Sequence, residues 1–284
     1  MDSIRELRID ELPPLLTEIN DPPKKLYIRG TFSTAEKYLT IVGTRKPSVY
    51  GKEVCEMLIK DLRGLPVAIV SGLALGIDAL AHQTAIENDI ATIAVPGSGL
   101  GDTVLYPASN KHIVKKIIEN DGCLLSEYGP DFKATVWSFP RRNRIMAGLS
   151  HATLVIEAEA KSGTLITSKL ATEYNRDVLT VPGSIFSNNS EGPHLLIRLG
   201  ATPITCADDL REALGFEKTE TKPLWNKDDL SAEEICIVDA LVSPLSRDEL
   251  ADVTEMNTAE LNSLLTLMEI KGIVKESGGE IHLV

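Results

Sequence analysis

From Leu39 onward the chain repeats one pattern: a short apolar run, a cluster of Gly, Ser or Pro, then usually a stretch with helical spacing of apolar residues. The apolar runs are LTIVG (39–43), VAIVS (67–71), ATIAV (91–95), CLLS (123–126), ATLVIE (152–157) and DVLTV (177–181). They are rich in β-branched residues and do not alternate apolar with polar. A strand with one wet face would alternate. These runs therefore predict strands covered on both faces, as parallel strands between two helical layers are.

Six such units, about 25–30 residues apart, predict an α/β fold with a Rossmann-like, doubly wound, mostly parallel sheet. Ligands of such sheets bind beyond the carboxyl ends of the strands, and the unusual residues of this chain fall there. Residues 1–38 read as a lead-in, a short helix and then an extended or turning NDPPKKLYIRG, where Pro22 and Pro23 forbid a continuous helix. The main domain covers 39–215, and a polar linker holding Pro223 covers 216–227. Residues 228–284 carry helical patterns at 231–242, 246–254 and 258–271, then GIVKE and EIHLV around Ser277-Gly278-Gly279. Three helices with a terminal hairpin predict a small winged-helix domain.

At 284 residues and 43% hydrophobic content, the chain can build one large core and a small second one. No apolar run approaches the roughly 18 residues of a membrane span, and the charged start MDSIRELRIDELPP has no apolar signal core. A cytoplasmic location is expected. Cys55, Cys123, Cys206 and Cys236 lie far apart without CxxC spacing, so buried free thiols are expected, with no metal or disulfide framework and no cofactor. The net charge of −12 argues at first against a nucleic-acid partner. From Asp228 to the end, however, 13 acidic side chains stand against 3 basic ones. The rest of the chain is close to neutral and free to carry a local basic patch.

The first strand runs into Gly43-Thr44-Arg45, with Ser48, Tyr50 and Gly51 opening the next helix. Backbone N–H groups at a helix start attract anions, and Arg45 adds a forked, charged donor. An ordinary turn with a surface arginine reads equally well from this segment. It is not GxGxxG, and no suitable acidic residue closes the second strand, which disfavours a dinucleotide. The second turn, SGLALGIDALAH (71–82), opens at Ser71 and Gly72, and Gly72 and Gly76 permit close backbone approach. Asp78 and His82 stand at i, i+4. A catalytic pair is one reading; an acidic first turn with a hydrogen-bonding neighbour is the favoured one. The third turn, PGSGLGD (96–102), ahead of Tyr106-Pro107, does not match a GxSxG elbow, so Ser98 is a poor nucleophile. A flexible loop and a phosphate cradle both remain open there.

The densest signal is FPRRNRIMAGLSHA (139–152), where Arg141, Arg142 and Arg144 surround Asn143, with Phe139 and Trp137 beside them. Arginines that grip phosphates beside rings that stack on bases are what a single-strand site needs. The bland reading is a solvated helix start. Three cations at a helix N-terminus oppose its dipole, a conflict that an anionic partner would relieve. Lys161, Ser162, Gly163 and Thr164 form another anion-friendly turn, without the GxxxxGK[ST] pattern of a nucleotide P-loop. In VPGSIFSNNSEGPHLLIRLGA (181–201), Leu195, Leu196 and Leu199 read as core, and Ile197 as able to reach a partner.

In order along the chain, DPPKKLYIRG, VGTRKPSVYG, SGLALGIDALAH, YPASN, SEYGP, FPRRNRIMAGLS, EAEAKSGTLITSKLA and VPGSIFSNNSEGPHLLIRLGA together resemble the DprA/Smf (DNA processing protein A) family, over about residues 21–210. The resemblance implies a homodimeric, non-enzymatic protein that binds single-stranded DNA without strong sequence preference. It further implies protection of that DNA, loading of the RecA recombinase, and a part in natural transformation and homologous recombination. The implied DNA pocket uses Arg45, then Arg141, Arg142 and Arg144 with Phe139, and Lys161 in the adjoining turn. Gly43, Ser71, Gly72, Asn143 and Ser162 are candidate contacts in the same turns. His194 and Ile197 map to the dimer contact. Many members carry a helical domain ahead of the Rossmann-like part, which is expected here to be absent or reduced to a stub. Helix 258–271 of the tail carries a single Lys at its end, so the tail is expected to bind protein, or to pack on the main domain, rather than to bind DNA. The rival reading is a nucleotide or phosphosugar hydrolase of the phosphoribohydrolase type, because PGSGLGDT (96–103) loosely echoes a phosphate-binding PGGxGT turn.

Overall fold

A computed structural model describes residues 3–8, 11–217, 230–241, 243–277 and 279–283. It falls into two compact units, Met1–Lys218 and Thr219–Val284. The first unit is built on nine strands: β1 (Ile4–Glu6), β2 (Tyr27–Gly30), β3 (Lys37–Val42), β4 (Val67–Ser71), β5 (Ala91–Ala94), β6 (Cys123–Ser126), β7 (Ala152–Val155), β8 (Asp177–Thr180) and β9 (Thr202–Pro203). Its helices are α1 (Pro14–Thr17), α2 (Val49–Asp61), α3 (Ile77–Glu87), α4 (Lys111–Glu119), α5 (Ser138–Leu149), α6 (Thr164–Glu173), α7 (Glu191–Arg198) and α8 (Ala207–Ala213).

The strands lie in the order β1-β2-β6-β5-β4-β3-β7-β8-β9. Every neighbouring pair from β6 to β9 is parallel. Side chains alternate between the faces of a strand, and here both faces are dry. Leu39, Ile41, Val67, Ile69, Ala152 and Leu154 pack under α2, α3 and α8 against Leu58, Ile59, Ala81 and Leu210. Val42, Val70, Ile93 and Val155, pointing the other way, meet Leu16 of α1 and Ile145, Met146 and Leu149 of α5. A smaller core joins α4, through Ile113, Val114 and Ile117, to Leu73 and Leu124. The chain winds outward from β3 to β6 and then returns to start again at β7. The carboxyl ends of β3 and β7 thus bound the crevice where strand order reverses, the place at which such sheets take ligands.

The six strands read from the sequence are all present. The chain's first strand, however, is not 39–43. Residues 4–30 supply α1 and two strands, with β2 antiparallel to β6 and β1 antiparallel to β2. Leu26 and Ile28 are buried there, and the neighbouring Arg29 donates to the Leu100 carbonyl at 3.1 Å and to Asp102 at 2.6 Å. Two further expectations are corrected. Cys55 and Cys123 are buried, with the Cys55 thiol pushed up to about 12 by burial, but Cys206 and Cys236 are exposed. Leu196 is core, whereas Leu199, one turn on, is 75% exposed.

The second unit carries α9 (Ala232–Ala240), β10 (Leu245–Ser246), α10 (Arg247–Thr254), α11 (Thr258–Ile270), β11 (Val274–Ser277) and β12 (Glu280–Leu283). Its sheet has the order β10-β12-β11, with antiparallel pairing. Ser231 and Ser246 each cap a helix in a reciprocal box with Glu234 and Glu249, so the start of each helix is written in its sequence. Ile237, Leu250, Leu261, Leu265, Met268 and Ile281 form its separate core. The linker expected at 216–227 lies outside the described residues except for Phe216 and Glu217. No helix among the described residues is long and apolar enough to cross a membrane.

Candidate nucleic-acid interface

A cleft of about 460 Å³ opens at the strand-order reversal, between the β3–α2 turn, the start of α5 and the β7–α6 turn. Three local devices shape it. Glu157, buried just after β7, accepts from the Ser48 N–H at 2.9 Å, from Ser48 Oγ at 2.6 Å and from Asn189 Nδ2 at 3.3 Å. This holds the β3–α2 turn to β7, leaving Arg45 and Lys46 on the outside of the turn and exposed. Gly76, at φ +78°, starts α3 against that turn; a Cβ there would stand 2.3 Å from the Thr44 carbonyl. At the third corner, Thr164 Oγ1 donates to the Gly43 carbonyl at 3.2 Å, and Ser162 Oγ accepts from the Thr164 N–H at 3.2 Å. α6 begins there with its first N–H groups satisfied locally, Thr164 by Ser162 Oγ, Leu165 by the Ser162 carbonyl at 3.1 Å and Ile166 by the Gly163 carbonyl at 3.2 Å, and it brings its positive dipole end to the cleft.

Of the residues singled out from the sequence, Gly43, Arg45, Phe139, Arg142, Asn143, Lys161 and Ser162 line this cleft. Arg141, Arg144, Ser71 and Gly72 do not. The arginine cluster is split by the helical turn. Arg142 points inward: Nη1 donates to the Gly72 carbonyl at 2.5 Å and to the Val95 carbonyl, and Nε to Asn143 Oδ1 at 3.1 Å. It thereby ties together the carboxyl ends of β4 and β5. Arg144 points to the opposite side of α5, where Glu127 and Asp21 enclose it. Arg141 stays half-exposed, with Nε 3.2 Å from Glu127. The conflict between three cations and the helix dipole is thus relieved largely from within, by carboxylates and carbonyls. This corrects the expectation that it called for an external anion.

Asp78 accepts from the Gly72 N–H at 3.1 Å and lines the floor beside Arg142. Burial raises its pKa, opposed by Arg142 and by the Ala74 and Gly72 N–H groups. Burial also lowers Arg142, to about 10, which leaves it a cation at neutral pH. Gly72 is glycine for this pair: a Cβ would meet Arg142 Nη1 at 2.4 Å and Asp78 Oδ2 at 2.6 Å. Ser71 is equally internal, its Oγ donating to the Ile41 carbonyl at 2.7 Å.

Once Arg142 is committed inward, the open charge of the rim is Arg45, Lys46 and Lys161, with Glu159 as the opposing carboxylate. No ion pair involves these three cations among the described residues. Sequence reading does not single out Lys46, and takes the Asn/Ser/Gly loop that carries Asn189 only as mobile or ligand-facing. Lys46 is visible beside Arg45, but Asn189 reaches the cleft only because its loop folds back over Glu157. At the third turn, residues 96–100 are buried and Ser98 Oγ donates to the Gly99 carbonyl at 3.0 Å. That loop offers neither an exposed nucleophile nor an open phosphate turn. His194 and Ile197 are half-buried on α7, and His194 Nε2 lies 3.0 Å from the Gly183 carbonyl.

His82 does not pair with Asp78. Its Nδ1 lies 2.7 Å from Thr92 Oγ1, whose own hydrogen goes to the Ile69 carbonyl, so Nδ1 carries the proton of a neutral ring. Burial, helped by Arg142, pushes its pKa from 6.5 down to about 3. Unfolding therefore takes up a proton below pH 6.5, and this contribution to stability is whole above that value and lost as pH falls. At pH 5 the expected loss is about 2 kcal/mol. Urea unfolding at pH 7 and pH 5 should show it in the wild type, and His82→Gln should remove most of that difference.

Residues 6–215 match the family described as DNA recombination-mediator protein A, and residues 222–280 match the DprA winged helix domain. The fold and the cleft define a Rossmann-like binding module joined to a winged helix. The chain belongs to the DNA recombination-mediator protein A family. It is 43% identical over 202 residues to DNA processing protein DprA of Streptococcus pneumoniae, covering 71% of this chain and 70% of that one. It is 38% identical over 205 residues to protein Smf of Escherichia coli, covering 72% of this chain but 54% of that one, so the match spans about half of that relative's length. The crystal structure of the S. pneumoniae protein superposes with a TM-score of 0.68 at 39% identity, covering 75% of each chain. DNA processing protein A of Helicobacter pylori, whose structure concerns its single-stranded DNA binding mode, superposes at 0.66 with 30% identity, covering 74% of this chain and 95% of that one.

Proposed function

We propose that the cleft at the strand-order reversal binds the sugar-phosphate chain of single-stranded DNA. The observation that carries this reading is an open cationic rim, Arg45, Lys46 and Lys161, placed over the positive end of α6 and beside Phe139. Arg45 and Lys161 neutralise phosphates, the dipole of α6 favours the negative charge, and the Phe139 ring stacks on a base. Such a site reads charge and stacking, so it is tolerant of sequence. The family and the single-stranded DNA binding of the H. pylori relative support the same reading.

On this reading the protein acts in DNA processing as a binding protein. It shields the strand and presents it to the RecA recombinase in natural transformation and homologous recombination. Two copies pair through α7, where His194, Ile197 and the exposed Leu199 offer a contact surface. The acidic winged-helix unit contacts protein rather than DNA. A nucleotide or phosphosugar hydrolase has less support, because its candidate phosphate loop is buried.

Fluorescence anisotropy with labelled oligothymidylate across a salt series tests the core of the proposal. Binding should weaken linearly in log–log form, by about 0.7 per phosphate neutralised. A flat salt response, or no binding at low salt, would refute it.

A further inference from the structure

We infer that the single-strand path does not end in the cleft but continues from Phe139 onto an aromatic ridge formed by Tyr106 and Trp137. This rests on the single-strand reading of the cleft and extends it. Phe139 lines the cleft on one side. On its other side its ring meets Tyr106, with centroids 5.6 Å apart and planes at 54°. Tyr106, in the loop ahead of α4, is 50% exposed, and Trp137 and Val136, at the start of α5, are 55% and 89% exposed.

The ridge is held rigidly. Trp137 packs edge-on against Tyr128 and Phe132 at 5.8 and 5.7 Å, and those two rings stack at 4.3 Å. The loop carrying them is pinned to the third turn, with the Gly99 N–H donating to the Phe132 carbonyl at 2.8 Å and the Gly101 N–H to the Pro130 carbonyl at 2.9 Å. Ser138 Oγ ties the start of α5 to the Gly97 carbonyl at 2.6 Å. Rings fixed in this way lose little freedom when a base stacks on them.

The cations beside the ridge identify its occupant. Lys133 is exposed within the same loop, and Arg141, which does not line the cleft, stands half-exposed one turn after Trp137. Aromatic faces interleaved with cations are what an unpaired strand requires, bases on the rings and phosphates on the charges. A purely apolar protein contact would leave the exposed Lys133 without a role. Continuity through Phe139 makes the occupant the same strand that fills the cleft. The ridge also gives Arg141, which does not line the cleft, a place in the path.

Length-dependent binding tests this, using the full chain with Trp225→Phe so that Trp137 is the sole tryptophan. A tetrathymidylate that fills only the cleft should leave Trp137 fluorescence nearly unchanged, and a longer oligothymidylate should quench it. Tyr106→Ala and Trp137→Ala should each weaken long-oligomer binding about 5-fold or more, the worth of one lost stack. Both should spare the tetramer, and Trp137→Phe should restore the long-oligomer affinity. Equal losses at both lengths, or no loss with unchanged fluorescence while Arg45→Ala still abolishes binding, would overturn the ridge and leave the cleft standing. Failure of the wild type to bind any oligomer would overturn both.

Discussion

Replacing Arg45 and Lys161 together with alanine is expected to lower oligothymidylate affinity by about 10²- to 10⁴-fold, at about 1.5–3 kcal/mol for each charge-assisted hydrogen bond, without a change in thermal stability. Both side chains are exposed on the cleft rim, and neither takes part in a described ion pair. Their loss therefore strands no buried carboxylate and opens no cavity. What it removes is phosphate neutralisation, so the log–log salt slope should become shallower by about 0.7 for each phosphate no longer neutralised. The weakening should be similar on thymine-rich and mixed sequences, because these groups face the backbone rather than the bases. Anisotropy at several salt concentrations, with a thermal melt of the same preparation, measures both effects. A double variant that keeps the wild-type slope would mean that the phosphates lie elsewhere.

Arg142→Ala is expected to act by the opposite route, through the fold. The guanidinium is buried, donates to the Gly72 and Val95 carbonyls, and offsets the buried charge of Asp78. Its removal leaves a carboxylate and two carbonyls without their partner inside the protein. At about 1–3 kcal/mol for each buried acceptor left unsatisfied, the two carbonyls cost about 2–6 kcal/mol, which for a unit of this size lowers Tm by roughly 4–24 °C. Removing the partner charge as well should recover part of that loss, since Arg142→Met with Asp78→Asn leaves no orphaned ion. Calorimetry at pH 7 on the two variants decides the matter. If Arg142→Ala melts like the wild type and loses only DNA binding, Arg142 belongs to the ligand and not to the scaffold.

The contrast between Arg45 and Arg142 marks where sequence reading stops. Both stand near helix starts, among glycines and polar residues, and both read as phosphate contacts. Their roles part because α5 turns by about 100° per residue. Arg141, Arg142 and Arg144, nearly adjacent in sequence, are thereby sent to the surface, the cleft floor and the Glu127–Asp21 side. The partners that decide among them lie 14 to 123 positions away. The antiparallel strand β2, between β1 and β6, escapes sequence reading for a related reason. It is four residues long, contains a charged residue, and exists only through pairing with β6 nearly a hundred positions later.

Local rules suffice for much else. Uninterrupted apolar runs imply two dry faces, glycine-bounded turns imply strand ends, and helical spacing of apolar residues implies the helices. From these come the six central strands, the parallel sheet, the winged-helix tail and the set of turns at the carboxyl ends of the strands. These features depend on neighbours within a few residues, so the chain determines them segment by segment. Which cations remain open to an anion, which are consumed by buried carboxylates, and how Phe139 joins the cleft to Tyr106 depend on groups brought together only when the sheet closes. Tertiary packing alone decides them, because a charge's freedom is set by its surroundings in space and not by its place in the sequence.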